Sequence, residues 1–418
     1  MGRLPRAARA GKLHAMRALL EESFRAAVAA ADPLKILPAH LPRPPRGRTF
    51  VAAAGKAGAS MALAVERHWP RAAPLEGLAI TRYAHGLPTE RIRVIEAGHP
   101  VPDAAGESAA RTLLEQVRTL GPDDLLLALV SGGGSSLLSL PAPGVPMEGL
   151  KAMTRELLRC GAPIQEMNTV RKHLSAIQGG RLAAACRAPV LALIVSDVTG
   201  DDPTHIASGP CAPDPTTVAD ARDVLRKYGI GEPGPFSETP KPGDPLFARV
   251  ENRVIATARR SLEAAAAVFA RRGYAPTILG DDITGEAREV AREMAAQARA
   301  ARRPGVLISG GECTVTVRGT AGHGGRCAEF LLALGIALQG AAGVHAIAAD
   351  TDGIDGSEDN AGALLTPDTL SRAAALRIDA RRMLEANDSY SFFSALGDLV
   401  VTGPTRTNVN DYRAILLA

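Results

Sequence analysis

Three kinds of chemical group recur at short spacings along this chain. Hydroxyls flank glycine clusters at Ser131-Gly132-Gly133-Gly134-Ser135-Ser136, and Gly310-Gly311 stands between Ser309 and Glu312. Cations sit beside glycines or in polar turns: Lys56 next to Gly55, Arg171 and Lys172 together, and Arg326 after Gly322-His323-Gly324-Gly325. Carboxylates are grouped as Asp197, Asp201 and Asp202, and again as Asp350, Asp352 and Asp355. Glycine-rich turns expose backbone N–H groups that cradle anions. Clustered carboxylates suit a hard cation such as Mg²⁺, and a single one can take a hydroxyl proton. Donors, cations and a metal together are the equipment of phosphoryl transfer, where positioning and charge neutralisation carry the chemistry.

These groups need a scaffold that delivers them to one place. Short apolar runs read as strands over 49–53, 78–81, 92–95, 124–130 and 189–195, alternating with helical patterns that include 13–31, 107–120, 148–160 and 218–228. Such alternation implies a mainly parallel sheet with helices on both faces. The polar loops then follow the strand ends: Gly55-Lys56 after 49–53, His99 after 92–95, the serine–glycine loop after 124–130, and Asp197 to Asp202 after 189–195. The loops after successive parallel strands share one edge, the place where open α/β sheets bind ligands.

Residues 230–246 hold Pro233, Pro235, Pro240, Pro242 and Pro245 and read as a domain crossing. The expected domains are therefore 1–240 and 241–418. In the second half, strands are expected at 253–257, 276–279, 305–308, 314–317, 344–349, 399–402 and 412–417, with helices at 260–272, 285–301 and near 325–338. The fold class is thus α/β, a doubly wound Rossmann-like domain followed by a smaller α/β domain, with the active site expected in a cleft between them.

Each motif also has a plainer reading. Asp350-Thr-Asp352-Gly-Ile-Asp355 reads as a capped turn or as a metal loop. It is no EF-hand, since the twelfth-position glutamate is missing. Lys56 is not a Walker A lysine, because Phe50 stands where the first glycine belongs and Ala57 where Ser or Thr belongs. Gly229-Ile-Gly231-Glu-Pro-Gly234 has the letters of a dinucleotide fingerprint but follows a helical pattern, not a strand.

Composition excludes other classes. The formal charge is +4 over 418 residues, with both signs interspersed, which argues against a nucleic-acid surface. Five scattered cysteines without a CxxC point to reduced thiols in a cytoplasmic setting. No apolar run has the length of a membrane span. The basic start, with Arg3, Arg6, Arg9 and Lys12, lacks the apolar segment of a secretory signal. Seven lysines against 41 arginines make Lys56 conspicuous.

Taken together, the motifs resemble the glycerate 2-kinase family, the MOFRL-type D-glycerate kinases. The resemblance runs through Ala53-Ala-Gly-Lys56, Glu96-Ala-Gly-His-Pro-Val-Pro-Asp103, the 129–137 loop, Met167-Asn-Thr-Val-Arg-Lys-His-Leu174, Ser196 to Asp202, and Ile206-Ala-Ser-Gly-Pro210. It continues through Ser309 to Val315, Gly322 to Arg326, Ala349 to Gly356, Asn387-Asp-Ser-Tyr390 and Thr402 to Asn410, nearly the whole chain in order.

The resemblance implies ATP-dependent phosphorylation of D-glycerate at the 2-hydroxyl with Mg²⁺, giving 2-phosphoglycerate and ADP. Lys56, Asp197 and Arg326 match positions taken as catalytic. Ser131, Gly132, Gly133, Gly134, Ser135 and Ser136, with Gly310, Gly311 and Glu312, are expected to bind nucleotide or phosphate. His99, Asn168, Arg171 and His323 are expected to hold substrate, and Asp350, Asp352, Asp355 and Asp201 the metal. Cys327 stands where Asn is common in such proteins, and an altered contact to Arg326 is expected there. A homodimer is the expected assembly, with no nucleic-acid or membrane partner. The competing readings are a hydroxypyruvate reductase using NAD(P)H and a non-catalytic phosphosugar sensor.

Overall fold

The computed structural model describes residues 6–318 and 322–418; of the basic start, Arg3 lies outside them. The chain divides into two compact units, one of Asp32–Ala256 and the other of the residues up to Ala31 together with Thr257–Ala418.

The Asp32–Ala256 unit is built on six strands: β1 Thr49–Ala54, β2 Leu75–Arg82, β3 Ile92–Ala97, β4 Leu125–Val130, β5 Val190–Val195 and β6 Val250–Ala256. They form one parallel sheet in the order β3-β2-β1-β4-β5-β6. That is a doubly wound order, with its switch point between β1 and β4. β1, β4 and β5 are buried along their whole length, as continuous apolar runs covered on both faces must be.

The second unit carries β7 Ala275–Gly280, β8 Gly285–Glu286, β9 Gly305–Ser309, β10 Cys313–Thr314, β11 Val344–Asp350, β12 Gly362–Leu365, β13 Leu399–Val400 and β14 Asp411–Leu417. Its main sheet runs β13-β12-β11-β14-β9-β7 and is mixed; only β7 and β9 pair in parallel. β8 and β10 form a separate two-stranded ribbon.

Both boundaries differ from the expected division at residue 240. The helix Arg6–Ala30 packs on the helix Ala258–Arg271, and its Leu19, Leu20, Phe24 and Ala27 share a core with Ile308, Ile347 and Tyr412 of the second unit. An amphipathic pattern declares an apolar face but not the surface that covers it. β6, expected in the second domain, is an edge strand of the first sheet. Among the described residues, no helix is long and apolar enough to cross a membrane.

Candidate active site

The turn after β1 and the turn after β4 meet at the switch point of the parallel sheet. The Lys56 N–H donates to the Gly132 carbonyl (2.8 Å), and the Ala57 N–H to the Ser131 hydroxyl (3.0 Å). Gly55 has φ +130°, and a Cβ there would lie 2.1 Å from Ser131 Oγ, so only glycine brings the two turns so close. Gly133 has φ +79°; a Cβ on it would meet the His99 ring at 2.8 Å and Lys56 Cγ at 3.3 Å. Lys56, His99 and the glycine loop are therefore one cluster. Asp197 follows β5 at the same sheet edge.

The loop's hydrogen bonds divide its groups into spent and unspent. Ser136 Oγ donates to the Gly133 carbonyl (3.1 Å). Ser208 Oγ donates to Asn168 Oδ1 (3.1 Å), so in its contact with Ser135 Oγ (2.8 Å) the proton comes from Ser135. The Ser135 and Ser136 hydroxyls, expected to donate to phosphate, thus have their protons engaged. Among the described residues the N–H groups of Gly132, Gly133 and Ser135 donate to no protein acceptor, and they are the anion donors of this loop. A turn through Ala207, Ser208 and Gly209, at φ +51°, +58° and +58°, packs directly behind it, where a Cβ on Gly134 would lie 2.5 Å from Ala207 Cβ. Non-glycine residues pay for this conformation, and such strain gathers at functional sites.

Replacing Gly133 with Ala is accordingly expected to raise the KM for nucleotide at least severalfold, because the new methyl meets His99 and Lys56. The thermal midpoint should fall by only a few degrees, the effect of about 1–2 kcal/mol of left-handed backbone cost. Wild-type kinetics in the folded variant would remove this loop from the site.

The helix Ile164–His173, which the sequence reading missed, carries two of the expected substrate residues. Asn168 is buried, donating to the His205 carbonyl (3.2 Å) and accepting from Ser208, so it positions the loop through Ser208. Lys172 is buried against Asp214 (3.3 Å), which leaves it unsuited to a ligand. The Arg171 guanidinium, in contrast, makes no hydrogen bond or ion pair among the described residues, and burial pushes its pKa down to about 10.

The second unit holds an ionic cluster. β9 and β11 both run antiparallel to β14, so both finish at the edge where β14 begins. Register sets Asp350 at the end of β11 opposite Asp411 at the start of β14. Arg326 opens the helix Arg326–Leu338 between them: Nε donates to Asp411 Oδ1 (2.7 Å) and Nη2 to Asp350 Oδ2 (2.5 Å), with Glu312 3.5 Å from Nη2. Arg413 also pairs with Asp411 (2.8 Å) and donates to the Gly310 carbonyl (3.0 Å). Burial works against the Arg326 charge, but Asp411, Asp350 and Glu312 outweigh it and raise its pKa. Sequence reading stopped at Asn410 and missed Asp411; a carboxylate opening an apolar strand was the available signal.

Several expected roles change here. Arg326, expected to be catalytic, is braced by the protein's own carboxylates. Asp355 accepts from the N–H groups of Cys327 (2.9 Å) and Ala328 (2.8 Å), capping the Arg326 helix, and burial pushes its pKa up to about 7. Asp350 also accepts from the Asp352 N–H, and Asp352 from the Ile354 N–H. Asp201, the other expected ligand, follows β5 in the first unit. Among the described residues, no group of three or more His, Cys, Asp or Glu side chains is disposed to hold a metal. The Asp350, Asp352 and Asp355 set therefore does not fit a protein-built Mg²⁺ cage.

The Cys327 thiol makes no hydrogen bond to Arg326 among the described residues. Its helical contact to Asp355 comes from the backbone, so the departure from Asn leaves the cap intact. The Gly310 N–H goes to the Gly280 carbonyl (2.9 Å) and is unavailable to phosphate. His323 is exposed beside Glu358 (3.2 Å). Gly229 caps the helix Val218–Tyr228 in the left-handed conformation, so the fingerprint-like run is a helix end, with no strand before it.

Comparison with known proteins bears on the family and the fold. Residues 19–237 match a family described only as a domain of unknown function (DUF4147), and residues 305–411 match the MOFRL family. A protein of Agrobacterium vitis, named provisionally as a hydroxypyruvate reductase, is 52% identical over 417 residues, covering 96% of this chain and 94% of its own. The D-glycerate 2-kinase of Thermotoga maritima is 38% identical, with 95% and 97% covered. The crystal structure of a Thermotoga maritima glycerate kinase superposes with a TM-score of 0.85 at 36% identity, over 97% of this chain and 100% of that one.

Proposed function

Because the chain belongs to the MOFRL-type glycerate kinase family, whose members are phosphotransferases, we propose that it moves the γ-phosphoryl group of ATP to the 2-hydroxyl of D-glycerate, giving 2-phosphoglycerate and ADP. The observation that carries this reading is the Lys56 turn docked on a glycine loop with three unspent N–H groups. An anion cradle beside an ammonium is suited to a transferring phosphoryl group.

In this reading the loop N–H groups of Gly132, Gly133 and Ser135 hold phosphate oxygens, and Lys56 neutralises charge that builds during transfer. Asp197 accepts the proton of the attacking hydroxyl. Arg326, held by Asp350 and Asp411, presents its remaining N–H groups to substrate. Mg²⁺ belongs to the reading as the partner of the ATP phosphates, an arrangement that needs no protein-built cage. We carry forward a cytoplasmic location and a homodimer as part of the same proposal.

The name borne by the Agrobacterium vitis relative favours a second reading, NAD(P)H-dependent reduction of hydroxypyruvate. The only fingerprint-like glycine run noted in the sequence caps a helix, which weighs against it.

One assay separates these readings. Incubation with ATP, Mg²⁺ and D-glycerate, coupled to enolase without phosphoglycerate mutase, should give signal that excess EDTA abolishes. Signal only after mutase is added would move the transfer to the 3-hydroxyl. NADH oxidation with hydroxypyruvate and no ADP release would replace the kinase by the reductase.

A further inference from the structure

One buried side chain outside the expected site residues holds the glycine loop directly. Gln178 is 2% exposed. Its Nε2 donates one proton to the Ser135 carbonyl (2.8 Å) and the other to the Leu138 carbonyl (3.0 Å). Ser135 lies in the single helical turn Gly134–Leu137, and Leu138 is that turn's C-terminal cap. Among the described residues neither carbonyl accepts from any other donor. A lone helical turn fixes several dihedrals for one hydrogen bond, so it does not hold itself, and its last carbonyls need a donor from elsewhere. A primary amide meets that need, because one neutral nitrogen carries two protons.

Gln178 is fixed in its turn by the backbone around it. The Ser175 hydroxyl accepts from its N–H (3.1 Å) and from that of Ile177 (3.2 Å). The next two residues reach the strained turn behind the loop: the Gly179 N–H donates to the Ser208 carbonyl (2.9 Å) and the Gly180 N–H to the Gly209 carbonyl (2.7 Å). Three successive residues therefore hold both the glycine loop and the turn packed against it. The unspent N–H groups of Gly132, Gly133 and Ser135 stand at the start of the segment whose end Gln178 holds. Ser135 carries one of those donors and one of the two carbonyls, so any rotation of the turn re-aims a donor. Donors aimed before a ligand arrives need no reorganisation when charge develops on it.

We propose that Gln178 is a positioning residue for phosphate: its two amide protons keep the turn in the orientation that aims the N–H groups of Gly132, Gly133 and Ser135 at the nucleotide's phosphates. The proposal rests on the kinase reading above. It makes the nucleotide side of the site depend on Gln178 and leaves the D-glycerate side independent of it.

The test compares wild type with Gln178→Met, which keeps the length and loses both protons, and with Gln178→Glu. Gln178→Met should raise the KM for ATP about 10-fold, roughly the worth of one hydrogen bond, and leave the KM for D-glycerate within about twofold. Gln178→Glu supplies a pH readout. Its ionised carboxylate would face two carbonyls and donate nothing, whereas the protonated form, favoured by burial and by those oxygens, donates one hydrogen bond. Its ATP KM, taken relative to wild type at each pH, should therefore fall toward the wild-type value as pH is lowered from about 8 to about 6. A lowered melting temperature with unchanged KM values would make Gln178 a core contact only, and equal rises in both KM values would make its effect general; either overturns the proposal. If Gln178→Met does not fold, the pH profile of Gln178→Glu decides, and a flat ratio to wild type overturns the proposal. If wild type turns over no D-glycerate, the kinase reading fails by itself, and calorimetric binding of sodium pyrophosphate decides instead. Weaker binding to the folded variant upholds the positioning role; equal binding, or none to wild type, ends it.

Discussion

Lys56→Ala is expected to lower kcat by about 10²-fold or more, while the KM values for ATP and D-glycerate change far less. The turn that holds Lys56 is fixed by backbone: its own N–H on Gly132, and Ala57 on the Ser131 hydroxyl. Truncation removes the ammonium and leaves those bonds, so the glycine loop keeps its shape. What disappears is one preorganised charge beside the three open N–H groups. Loss of one such contact costs catalysis about 2.7–4 kcal/mol, or roughly 10²–10³ in rate. Steady-state kinetics with a thermal melt checks this. A folded Lys56→Ala variant with kcat within about threefold of wild type would show that the charge acts elsewhere.

Arg326→Lys is expected to damage both stability and catalysis. Asp350 and Asp411 are each only about 1% exposed, and Arg326 reaches one through Nη2 and the other through Nε. A lysine ammonium is a single point and cannot span the two, which leaves a buried carboxylate short of its partner. Removing a partner from a buried pair costs about 3–5 kcal/mol, and the retained charge of lysine should recover part of that. Against a usual stability of about 5–15 kcal/mol, a drop of several degrees in melting temperature follows. We expect kcat/KM for D-glycerate to fall by about 10²-fold as well, since the fork no longer presents its remaining N–H groups. Wild-type kcat/KM in Arg326→Lys would leave the fork no part in the reaction.

The first sheet was legible because its strands are short apolar runs that end in unmistakable polar turns. β1, β4 and β5 carry Ala, Val and Leu on both faces, and a parallel sheet forces their following loops to one edge. Strand direction in the second unit was not legible. Gly362–Leu365 is too short to register as a strand, and no pattern in Asp411–Leu417 says that it runs antiparallel to both neighbours. That reversal is what brings Asp411 to Asp350. The helix Ile164–His173 was hidden because its buried residues include Asn168, Lys172 and His173, which an apolar period does not count. Side-chain roles were the least legible part. Arg326 and Asp355 have the residue types of a substrate clamp and a metal ligand, yet the fold uses one to join two carboxylates and the other to cap a helix. The spacing of residue types shows what chemistry is affordable, and only packing shows which partner takes it.

The split of one unit across the sequence bears on how the protein is made. Residues 32–256 form a self-contained parallel sheet whose every strand leaves the ribosome before Thr257, so that unit has all it needs to fold early. The other unit has its first helix synthesised before residues 32–256 and its β14 strand, which lies between β11 and β9, after them. Leu19, Leu20 and Phe24 must therefore wait, unburied, until the sheet that covers them exists. A message cut short before Asp411 would yield a chain with the Lys56 turn and glycine loop in place but with no central strand in the second sheet and no Asp411 to brace Arg326. Such a product would expose a strand edge and an apolar helix face together, the two features that invite aggregation and quality-control proteolysis.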